Sequence, residues 1–552
     1  MKGRRRRRVV KLSVLRGVAA VFAVMVWVGA AGVLFAHREK SESPPLEAVA
    51  GRRNSTTGRR RRNCSLILQQ QGMRYWSEIP EEMRSPYGGG GYVTFEPDAG
   101  GFNNVRMAFE TVAVFAHATN RILVLPPRQR LYLLKQSFAK NPEAFHGIEA
   151  FLDLGALGRV VEIIDTYEFA RREHNGLSRG VDLELVDRAV RTGEREPRRR
   201  LREWMRARAV TPRWDPLREV VVFGNCSAPD LPWREVGFRE FAGSRRVREI
   251  DRRLVDAPWI HFASNASHGY RIFTHWYTFF LFGDGPLDAY YKRFARDRLR
   301  YRDEIACAAG RVARALGTSY SALHVRRGEL QYVKVRIACD ALNQTVSAWL
   351  RPRETLFILT DEKDRSWFGP LADVYDVRFM SDFFEVVAGE SFFDPNALGM
   401  IEQLVAAAPN ARTFTGTFFS TFSGYVARLR AYYGHDPASF FYAAPPEKRF
   451  VMHRDDASIR YPYFNREWPL GWRAIDRIPS RRRRRRRRRG QVEDNPSLRT
   501  LPLRRDYADL LPERNQEYPA ARVQKARDAE KKHQQQQQAS FSSLSSSSSS
   551  SA

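Results

Sequence analysis

The chain has 552 residues, of which 43% are hydrophobic, and its formal net charge is +30. That length and apolar content are sufficient for two or three folded domains. The charge does not indicate a nucleic-acid-binding protein, because arginine runs at residues 4–8, 59–62 and 481–489 supply much of it outside the segments that are expected to fold. No zinc-finger spacing or basic-region heptad accompanies these runs, and we expect no nucleic-acid partner.

An uncharged apolar run near the N-terminus predicts a membrane anchor. Residues 17–36 are rich in Val, Ala, Leu and Phe, and about 20 such residues span a bilayer as a helix. The arginines at 4–8 hold residues 1–16 in the cytosol by the positive-inside rule, so the rest of the chain is expected in the lumen. The sequence therefore predicts a single-pass type II signal anchor. A cleavable signal peptide with a site near residues 29–32 is the alternative.

The segment after the anchor is expected to be a stem, because residues 37–85 are polar, basic and interrupted by prolines. In a lumen, asparagines in Asn-x-Ser/Thr sequons can carry glycans, and cysteines can pair. The sequons are at Asn54, Asn63, Asn225, Asn265 and Asn343. The cysteines are Cys64, Cys226, Cys307 and Cys339. Their pairing stays open, with free thiols as the alternative.

The first folded segment has the pattern strand, glycine-rich turn, helix, strand. YVTF at 92–95 predicts a strand, a helix is expected from about residue 103 to 119, and RILVLPP at 121–127 predicts the next strand. Adjacent glycines in the turn allow the backbone to approach a ligand, and a helix N-terminus offers N–H groups to an anion. Asn103 and Asn104 in this turn could instead simply cap the helix.

The run SALHVRRGE at residues 321–329 predicts a strand that ends in a charged turn. Ligands of α/β folds bind beyond the carboxyl ends of strands, and the planar guanidinium of arginine suits phosphate oxygens. Arg326 and Arg327 are therefore candidate anion ligands. The alternative is a surface turn in which the arginines pair with Glu329.

The second folded segment continues the alternation of strands and helices. We expect strands at 355–362 and 413–417, a helix at 400–408, and a further helix that begins at about Ser420. This alternation predicts a parallel sheet. The hydroxyls of Ser420 and Thr421 suit a phosphate at the helix start, although N-capping is the ordinary role of such residues.

Three of these stretches together resemble the GDP-fucose protein O-fucosyltransferase superfamily, including its plant-type branch. They are GGFNNVRMAFE at 100–110 followed by NRILVLPP at 120–127, HVRRGE at 324–329, and FTGTFFSTFSGY at 414–425. The resemblance covers about residues 88–440, except that the charged stretch from about 153 to 255 resembles nothing we can align.

The resemblance implies an α/β fold of GT-B type, in which two Rossmann-like domains face each other across a cleft. We expect residues 86–315 to form the N-terminal, acceptor-side domain with insertions and residues 316–465 to form the C-terminal, nucleotide-side domain. Residues 466–552, rich in Arg, Gln and Ser, are expected to be a low-complexity tail. The N-terminal transmembrane helix precedes both domains.

The resemblance also implies metal-independent catalysis, and the chain contains no Asp-x-Asp triplet. Cationic side chains must then neutralise the departing diphosphate. Carried over by position, the catalytic residues are Arg326, which would contact the β-phosphate, and Asn104, which would approach the donor sugar. We expect no metal ligands and no cofactor other than the donor substrate, GDP-fucose.

The remaining residues carried over would bind the donor. Gly100, Gly101, Phe102 and Asn103 would shape the loop, Ser420, Thr421 and Phe422 would hold the diphosphate and the base, His324 would line the nucleotide site, and Glu402 would meet the guanine edge. His324 could instead be a hydrogen-bonded core histidine. Arg327 and Glu329 could simply brace the turn.

One position departs from the resemblance. Some members of the superfamily have a glutamate that can act as general base directly before Gly-Phe-Asn, where this chain has Gly100. An inverting transfer needs some route for the proton of the acceptor hydroxyl. Glu96 or Asp98 could supply a base, or the mechanism could be dissociative with water carrying the proton.

The sequence thus predicts an inverting glycosyltransferase that moves fucose from GDP-fucose to a hydroxyl of a protein or glycan. We expect a Golgi membrane protein with a luminal catalytic part, and the endoplasmic reticulum stays open. The first alternative is the same fold with another nucleotide-sugar donor in polysaccharide synthesis. The second is a catalytically silent glycan-binding protein.

Overall fold

The structure is a computed structural model. It describes residues 64–73, 85, 87–97, 100–131, 145–192, 194–216, 219–223, 246–264, 275–282, 285–328, 336–388, 395–417, 420–436 and 439–443. All of these lie in one compact unit that begins at Asn63. The predicted anchor at 17–36 and the tail at 466–552 lie outside the described residues. No helix in the described part is long and apolar enough to cross a membrane.

The strands β1 to β14 are Tyr92–Phe95, Ile122–Leu125, Gln129–Arg130, Phe145–His146, Ile163–Asp165, Glu219–Phe223, Arg246–Glu249, Trp259–Phe262, Phe280–Phe282, Tyr320–Val325, Thr355–Thr360, Asp376–Phe379, Ala411–Thr417 and Phe440–Ala443. The α-helices α1 to α14 are Phe102–Ala118, Leu154–Leu157, Thr166–Arg172, Leu183–Arg191, Arg195–Arg208, Arg252–Asp256, Trp276–Phe279, Gly285–Arg298, Asp303–Ala315, Cys339–Val346, Gly369–Ala372, Phe384–Ala388, Leu398–Ala407 and Thr421–Tyr432.

The first half contains a four-stranded parallel sheet in the order β5-β2-β1-β8. Its strands are short apolar runs, as expected for a sheet that is covered on both faces. Helix α1 connects β1 to β2, and every residue of α1 except Asn104 is buried. The predicted strand–turn–helix–strand unit is therefore present. Asn104 is the one residue of α1 that is only partly buried.

The stretch that resembled nothing we could align contributes a second layer. Its helices α3, α4 and α5 bury one apolar face against the sheet, where Phe169, Val186 and Leu201 pack around Val124. A separate three-stranded parallel sheet has the order β7-β6-β9. The helices of this stretch thus form a layer on one face of the four-stranded sheet.

The second half contains a five-stranded parallel sheet in the order β12-β11-β10-β13-β14. Strand β10, which carries the central motif, is the middle strand, and all of its residues are buried. The predicted strands at 355–362 and 413–417 correspond to β11 and β13, and the predicted helices correspond to α13 and α14. The expectation of a mixed α/β fold with parallel sheets is confirmed.

One hydrophobic core runs through both halves, because helices α1, α9, α13 and α14 pack together. It also includes part of the segment that we assigned to the stem. Leu68 and Met73 are buried, and the side chains of Ile67 and Leu68 lie against Gly310 of α9. Folded structure therefore begins well before residue 86, since these apolar side chains cover the outer face of α9.

Candidate active site

The central motif forms the turn at the carboxyl end of β10. The backbone N–H of Arg326 donates to Oγ1 of Thr417 over 3.1 Å, and the same hydroxyl donates to the carbonyl of His324 over 2.7 Å. Thr417 is the last residue of β13, the neighbouring strand. The ends of two adjacent parallel strands are therefore fixed to each other, at the sheet edge where ligands of α/β folds bind.

The second arginine of the motif braces this turn. The backbone N–H groups of Arg327 and Gly328 both donate to the Asp361 carboxylate, over 2.7 and 3.1 Å. The Arg327 guanidinium donates to Glu362 over 2.7 Å and lies over the ring of Trp367. A Cβ at Gly328 would lie 2.8 Å from Asp361 Oδ2, so a larger residue would displace the carboxylate that accepts both N–H groups. Glu329 lies outside the described residues.

The first arginine of the motif is placed differently. Nε of Arg326 lies 4.0 Å from Asp361 Oδ2, which is too long for a hydrogen bond, and the side chain is 21% exposed. Among the described residues, this buried Nε has no hydrogen-bond partner. Because a buried N–H without a hydrogen bond is costly, the Nε–H of Arg326 is suited to an anionic ligand.

His324 precedes these arginines and is buried beneath them. Its Nδ1 and the Ser423 hydroxyl are hydrogen-bonded over 2.8 Å, and its ring lies 4.5 Å from the ring of Phe422. Burial, together with the nearby Arg326 charge, lowers the pKa of His324 to about 3. The imidazole is therefore neutral at physiological pH, and it positions the start of α14 against β10.

The start of α14 brings two predicted hydroxyls to the same place. Ser420 is the N-cap residue, but its side chain does not cap the helix, and its buried Oγ has no hydrogen-bond partner among the described residues. Thr421 donates its hydroxyl to Asn104 Oδ1 over 3.0 Å. Neither hydroxyl has the ordinary N-capping role that was the alternative.

The loop before α1 supplies the other side of this contact. The N-cap of α1 is Gly101, and no side chain caps the helix, so capping is not the role of Asn103 or Asn104. A Cβ at Gly100 would lie 2.0 Å from Asn104 Nδ2. Gly100 is therefore required for the observed position of Asn104. Phe102 points into the core, where its ring contacts Phe151 at 4.9 Å.

A buried glutamine, which the sequence analysis did not identify, connects the predicted residues. Gln403 donates to Asn103 Oδ1 over 3.3 Å and to the Phe422 carbonyl over 3.2 Å, and it accepts the Tyr301 hydroxyl over 2.7 Å. A polar residue within the apolar run of α13 was the available signal. Its neighbour Glu402, the predicted guanine ligand, is half-buried on α13.

The two halves are also joined by a buried ion cluster that the sequence analysis missed. Glu110 accepts hydrogen bonds from Arg106, over 2.5 Å, and from Arg428. All three side chains are almost completely buried, and the Arg106 guanidinium lies over the ring of Tyr425. Because Arg106 belongs to α1 and Arg428 to α14, the cluster fixes the helices that carry Asn104 and Thr421.

Glu96, one of the two proposed bases, is fully engaged. Arg206 donates to both of its carboxylate oxygens, over 2.5 and 2.6 Å, and His261 Nε2 lies 3.2 Å from Oε1. Burial acts to raise the pKa of Glu96, but the hydrogen bonds from His261 and Arg206 outweigh it and lower that pKa. Glu96 is therefore a paired carboxylate. Asp98, the other proposed base, lies outside the described residues.

No cluster of His, Cys, Asp or Glu that could hold a metal ion occurs within the described ranges.

The contacts described above bring together Arg326, His324, Ser420, Thr421 and Asn104 from three stretches of the chain. Gly100 and Gly101 shape the loop beside them. Phe102 and Asn103 support it from the core side.

A match to a protein-family model agrees with the resemblance. Residues 92–351 match the family model described as GDP-fucose protein O-fucosyltransferase, a range that includes the first two motifs and ends before the third. A comparison with curated proteins gave no match. The family match begins at β1 and continues past the turn that carries Arg326. It therefore includes strands of the four-stranded and of the five-stranded sheet.

Solved structures of two fucosyltransferases are similar to the chain at low identity. POFUT1 in complex with GDP-fucose is 15% identical, with 65% of this chain and 99% of that chain covered and a TM-score of 0.30. The fucosyltransferase NodZ from Bradyrhizobium is 15% identical, with 61% and 93% covered and a TM-score of 0.30. The family match over residues 92–351 confirms the resemblance to the GDP-fucose protein O-fucosyltransferase family, and it identifies the chain as a glycosyltransferase.

Proposed function

We propose that the protein transfers fucose from GDP-fucose to a hydroxyl of a protein or glycan acceptor, with inversion at the sugar carbon and without a metal ion. The observation that carries this proposal is the placement of Arg326. Its guanidinium Nε is buried without a hydrogen-bond partner among the described residues, at the strand end next to the start of α14. The Ser420 hydroxyl likewise has no hydrogen-bond partner among the described residues. The backbone N–H of Ser420 donates to the Thr417 carbonyl over 3.4 Å.

These groups suit a departing diphosphate. Negative charge grows on the β-phosphate as the bond to the sugar breaks, and preorganised donors in a dry site stabilise such charge strongly. Arg326 would supply guanidinium hydrogen bonds, and the N-terminus of α14 would supply backbone N–H groups beside the Ser420 hydroxyl. Asn104, held by Thr421, would orient the sugar. No metal ion is required for this division of roles.

The hydrogen bonds of Glu96 limit the routes by which the proton of the acceptor hydroxyl can leave. Both of its oxygens already accept hydrogen bonds from Arg206, and its pKa is lowered, so it is a poor general base. We therefore favour a dissociative transfer, in which the C–O bond to GDP breaks early and water takes the proton of the acceptor hydroxyl. Asp98 is the remaining carboxylate of the loop.

The arrangement that we infer is of GT-B type, with a Rossmann-like domain at 86–315 and another at 316–465 and the donor site between them. The parallel order of both large sheets supports this inference. The contact between Asn104 of the first half and Thr421 of the second supports it as well, because it lies where a cleft between the two domains would narrow.

The test is release of GDP by the purified full chain from a panel of nucleotide sugars. We expect release from GDP-fucose, and we expect Arg326→Ala to lower its rate by about 10²- to 10³-fold, the usual effect of removing one donor to a developing anion. Arg365→Ala is the matched control, because Arg365 is exposed and pairs with Asp382. Release from another nucleotide sugar only would replace the donor. GDP binding without turnover of any donor would favour the glycan-binding alternative.

We further propose a type II orientation in the Golgi membrane, which rests on the apolar run at 17–36 and the arginines before it. In that orientation, we expect N-linked glycans on the sequons of the luminal part. Asn343 is a poor acceptor, since it lies in α10 and its side chain donates to the Pro370 carbonyl over 2.8 Å. Peptide mass mapping after glycosidase treatment should find modification at the other sequons. A chain without any glycan would argue against a luminal location.

A further inference from the structure

A buried glutamine on α13 joins two stretches of the proposed donor site. Gln403 is 1% exposed and lies in a helix whose other buried residues are all apolar. An amide is costly to bury unless its donors and its acceptor are hydrogen-bonded, and a leucine or a methionine would fill the same space without that cost. A glutamine at this position therefore indicates a role that an apolar side chain does not meet.

The hydrogen bonds of Gln403 fix the orientation of its amide. Its nitrogen lies 3.2 Å from the Phe422 carbonyl, which can only accept, so the nitrogen and not the oxygen of the amide must face that side. The same nitrogen donates to Asn103 Oδ1 over 3.3 Å. The amide oxygen accepts from the Tyr301 hydroxyl over 2.7 Å. Both donors and the acceptor are thus used, and the side chain has one defined position.

The two groups that accept from the Gln403 nitrogen belong to the first and the third motif. Asn103 precedes Asn104, the residue that we assign to the donor sugar. Phe422 follows Thr421 in the first turn of α14. The bonds of Gln403 therefore run beside the direct contact between Asn104 and Thr421. Two neighbouring connections fix the loop of the first motif relative to the start of α14.

Asn103 and Phe422 are each held within their own half as well. The Phe422 ring packs on the ring of His324, at the end of β10, with 4.5 Å between the ring centres. Asn103 Oδ1 also accepts from Nε of Arg106, one turn further along α1, over 3.4 Å. These contacts fix each residue on its own element. Gln403 supplies the bonds that fix the two elements to each other.

We propose that Gln403 is a positioning residue for the transfer, which sets the separation between the loop at residues 100–104 and the start of α14. The inference rests on the proposed function, because that function assigns Asn104 to the sugar and Ser420 to the diphosphate. A change in this separation displaces the sugar from the groups that stabilise its leaving group, and a misplacement of about 1 Å can lower a rate about 10²-fold. GDP lacks the sugar. Gln403 should therefore affect the transfer and not the affinity for GDP.

The experiment compares Gln403→Met with the unmodified full chain. Methionine keeps the approximate length and volume of the side chain and removes both N–H donors. We expect kcat for GDP release from GDP-fucose to fall about 10- to 100-fold, while the Kd of GDP, measured by calorimetry, changes by less than about twofold. The start of α14 should stay in place for GDP, because Ser423 remains bonded to His324 and Arg428 to Glu110.

Thr413→Val is the matched control. The Thr413 hydroxyl donates to Ser321 Oγ over 2.8 Å, in a buried contact between β13 and β10. This contact lies near the amino ends of both strands, whereas the site lies at their carboxyl ends. Like Gln403→Met, the control removes a buried hydrogen bond between side chains. Denaturant titration should show a loss of stability in both variants, and kcat should fall in Gln403→Met alone.

Three results would overturn the inference: an unchanged kcat in Gln403→Met, equal losses of kcat in Gln403→Met and Thr413→Val, or a GDP affinity that falls by the same factor as kcat. If Gln403→Met does not fold, Asn103→Ala removes the connection from its other end and must lower kcat without weakening GDP binding. If the unmodified chain turns over no nucleotide sugar, the proposed function fails. Hydrogen exchange then tests the positioning, and exchange at residues 100–106 and 420–426 that is no faster in Gln403→Met overturns it.

Discussion

The Thr421 hydroxyl donates a hydrogen bond to Asn104 Oδ1, and this 3.0 Å contact joins residues 317 positions apart in the chain. It connects the first motif to the third, and it orients the amide that we assign to the donor sugar. Thr421→Val keeps the shape and removes the donor. We expect kcat/KM for the donor to fall about two- to tenfold, the effect of one neutral hydrogen bond.

A double-mutant cycle with Asn104→Ala distinguishes this coupling from independent effects. If Thr421 acts by orienting Asn104, Thr421→Val should have almost no further effect once Asn104 is removed. Additive losses in the double variant would show that the two side chains contribute separately. The matched control is Thr345→Val, because that hydroxyl bonds within its own helix, to the Ala341 carbonyl.

Ser420 gives a prediction in which stability and binding change in opposite directions. Its buried Oγ has no partner among the described residues, so it carries a desolvation cost in the ligand-free protein. Ser420→Ala should therefore raise the free energy of unfolding by about 1 kcal/mol and weaken GDP binding. Denaturant titration and calorimetry measure the two effects. A less stable variant would mean that the hydroxyl has a structural partner.

His324 predicts a pH dependence of stability. Its pKa in the folded protein is about 3, below the ordinary value of 6.5, so the unfolded chain binds a proton that the folded protein does not bind between those values. Its contribution therefore destabilises the folded protein progressively as pH falls from about 6.5 toward 3, by at most about 1.4 kcal/mol per pH unit. Above pH 6.5 it has no effect.

The measurement is the free energy of unfolding at several pH values for the unmodified chain and for His324→Asn, whose amide can still bond to Ser423. We expect a smaller loss of stability on acidification in the variant. Equal pH slopes would show that His324 titrates normally in the folded protein. His174, an exposed histidine two residues past the end of α3, gives a control in His174→Asn.

The buried cluster of Arg106, Glu110 and Arg428 predicts a large loss of stability from a single substitution that preserves shape. Glu110→Gln removes the charge that compensates Arg106 and Arg428, and breaking a buried ion pair in this way costs about 3–5 kcal/mol. The unfolding free energy should fall by that amount. The exposed pair between Arg252 and Asp256 provides the comparison, because Asp256→Asn should change stability by less than about 1 kcal/mol. Equal effects would show that the cluster is open to water.

The sequence predicted the elements whose signal is local. β1, β10, β11 and β13 are short apolar runs followed by polar residues, and glycines precede α1, so their positions were recovered to within a few residues. The family motifs also identify Arg326 and Asn104 as candidate site residues from the sequence alone. Their assigned roles remain predictions.

Contacts between distant side chains were not predictable in the same way. Gln403 and Glu110 are polar residues inside apolar helices, and only the packing of α13 or α14 against α1 shows what they bond. In the sequence, Arg206 is one of many arginines in a charged helix, and only the packing of that helix beside the end of β1 shows that it donates to Glu96. The start of folded structure was not predicted because the apolar run at residues 66–68 is short, follows a polar, basic stretch, and is separated from Met73 by three glutamines and a glycine.

The close approach of Gly100 to Asn104 constrains how this enzyme could have arisen or could be altered. A side chain at position 100 would occupy the space of the Asn104 amide, 2.0 Å from its nitrogen. A glutamate at this position would therefore require the Asn104 amide to move from the place where Thr421 bonds it. Gly100→Glu alone would not install a general base. It would displace the residue that we assign to the donor sugar, so we expect a functional glutamate at position 100 to need a compensating change at position 104.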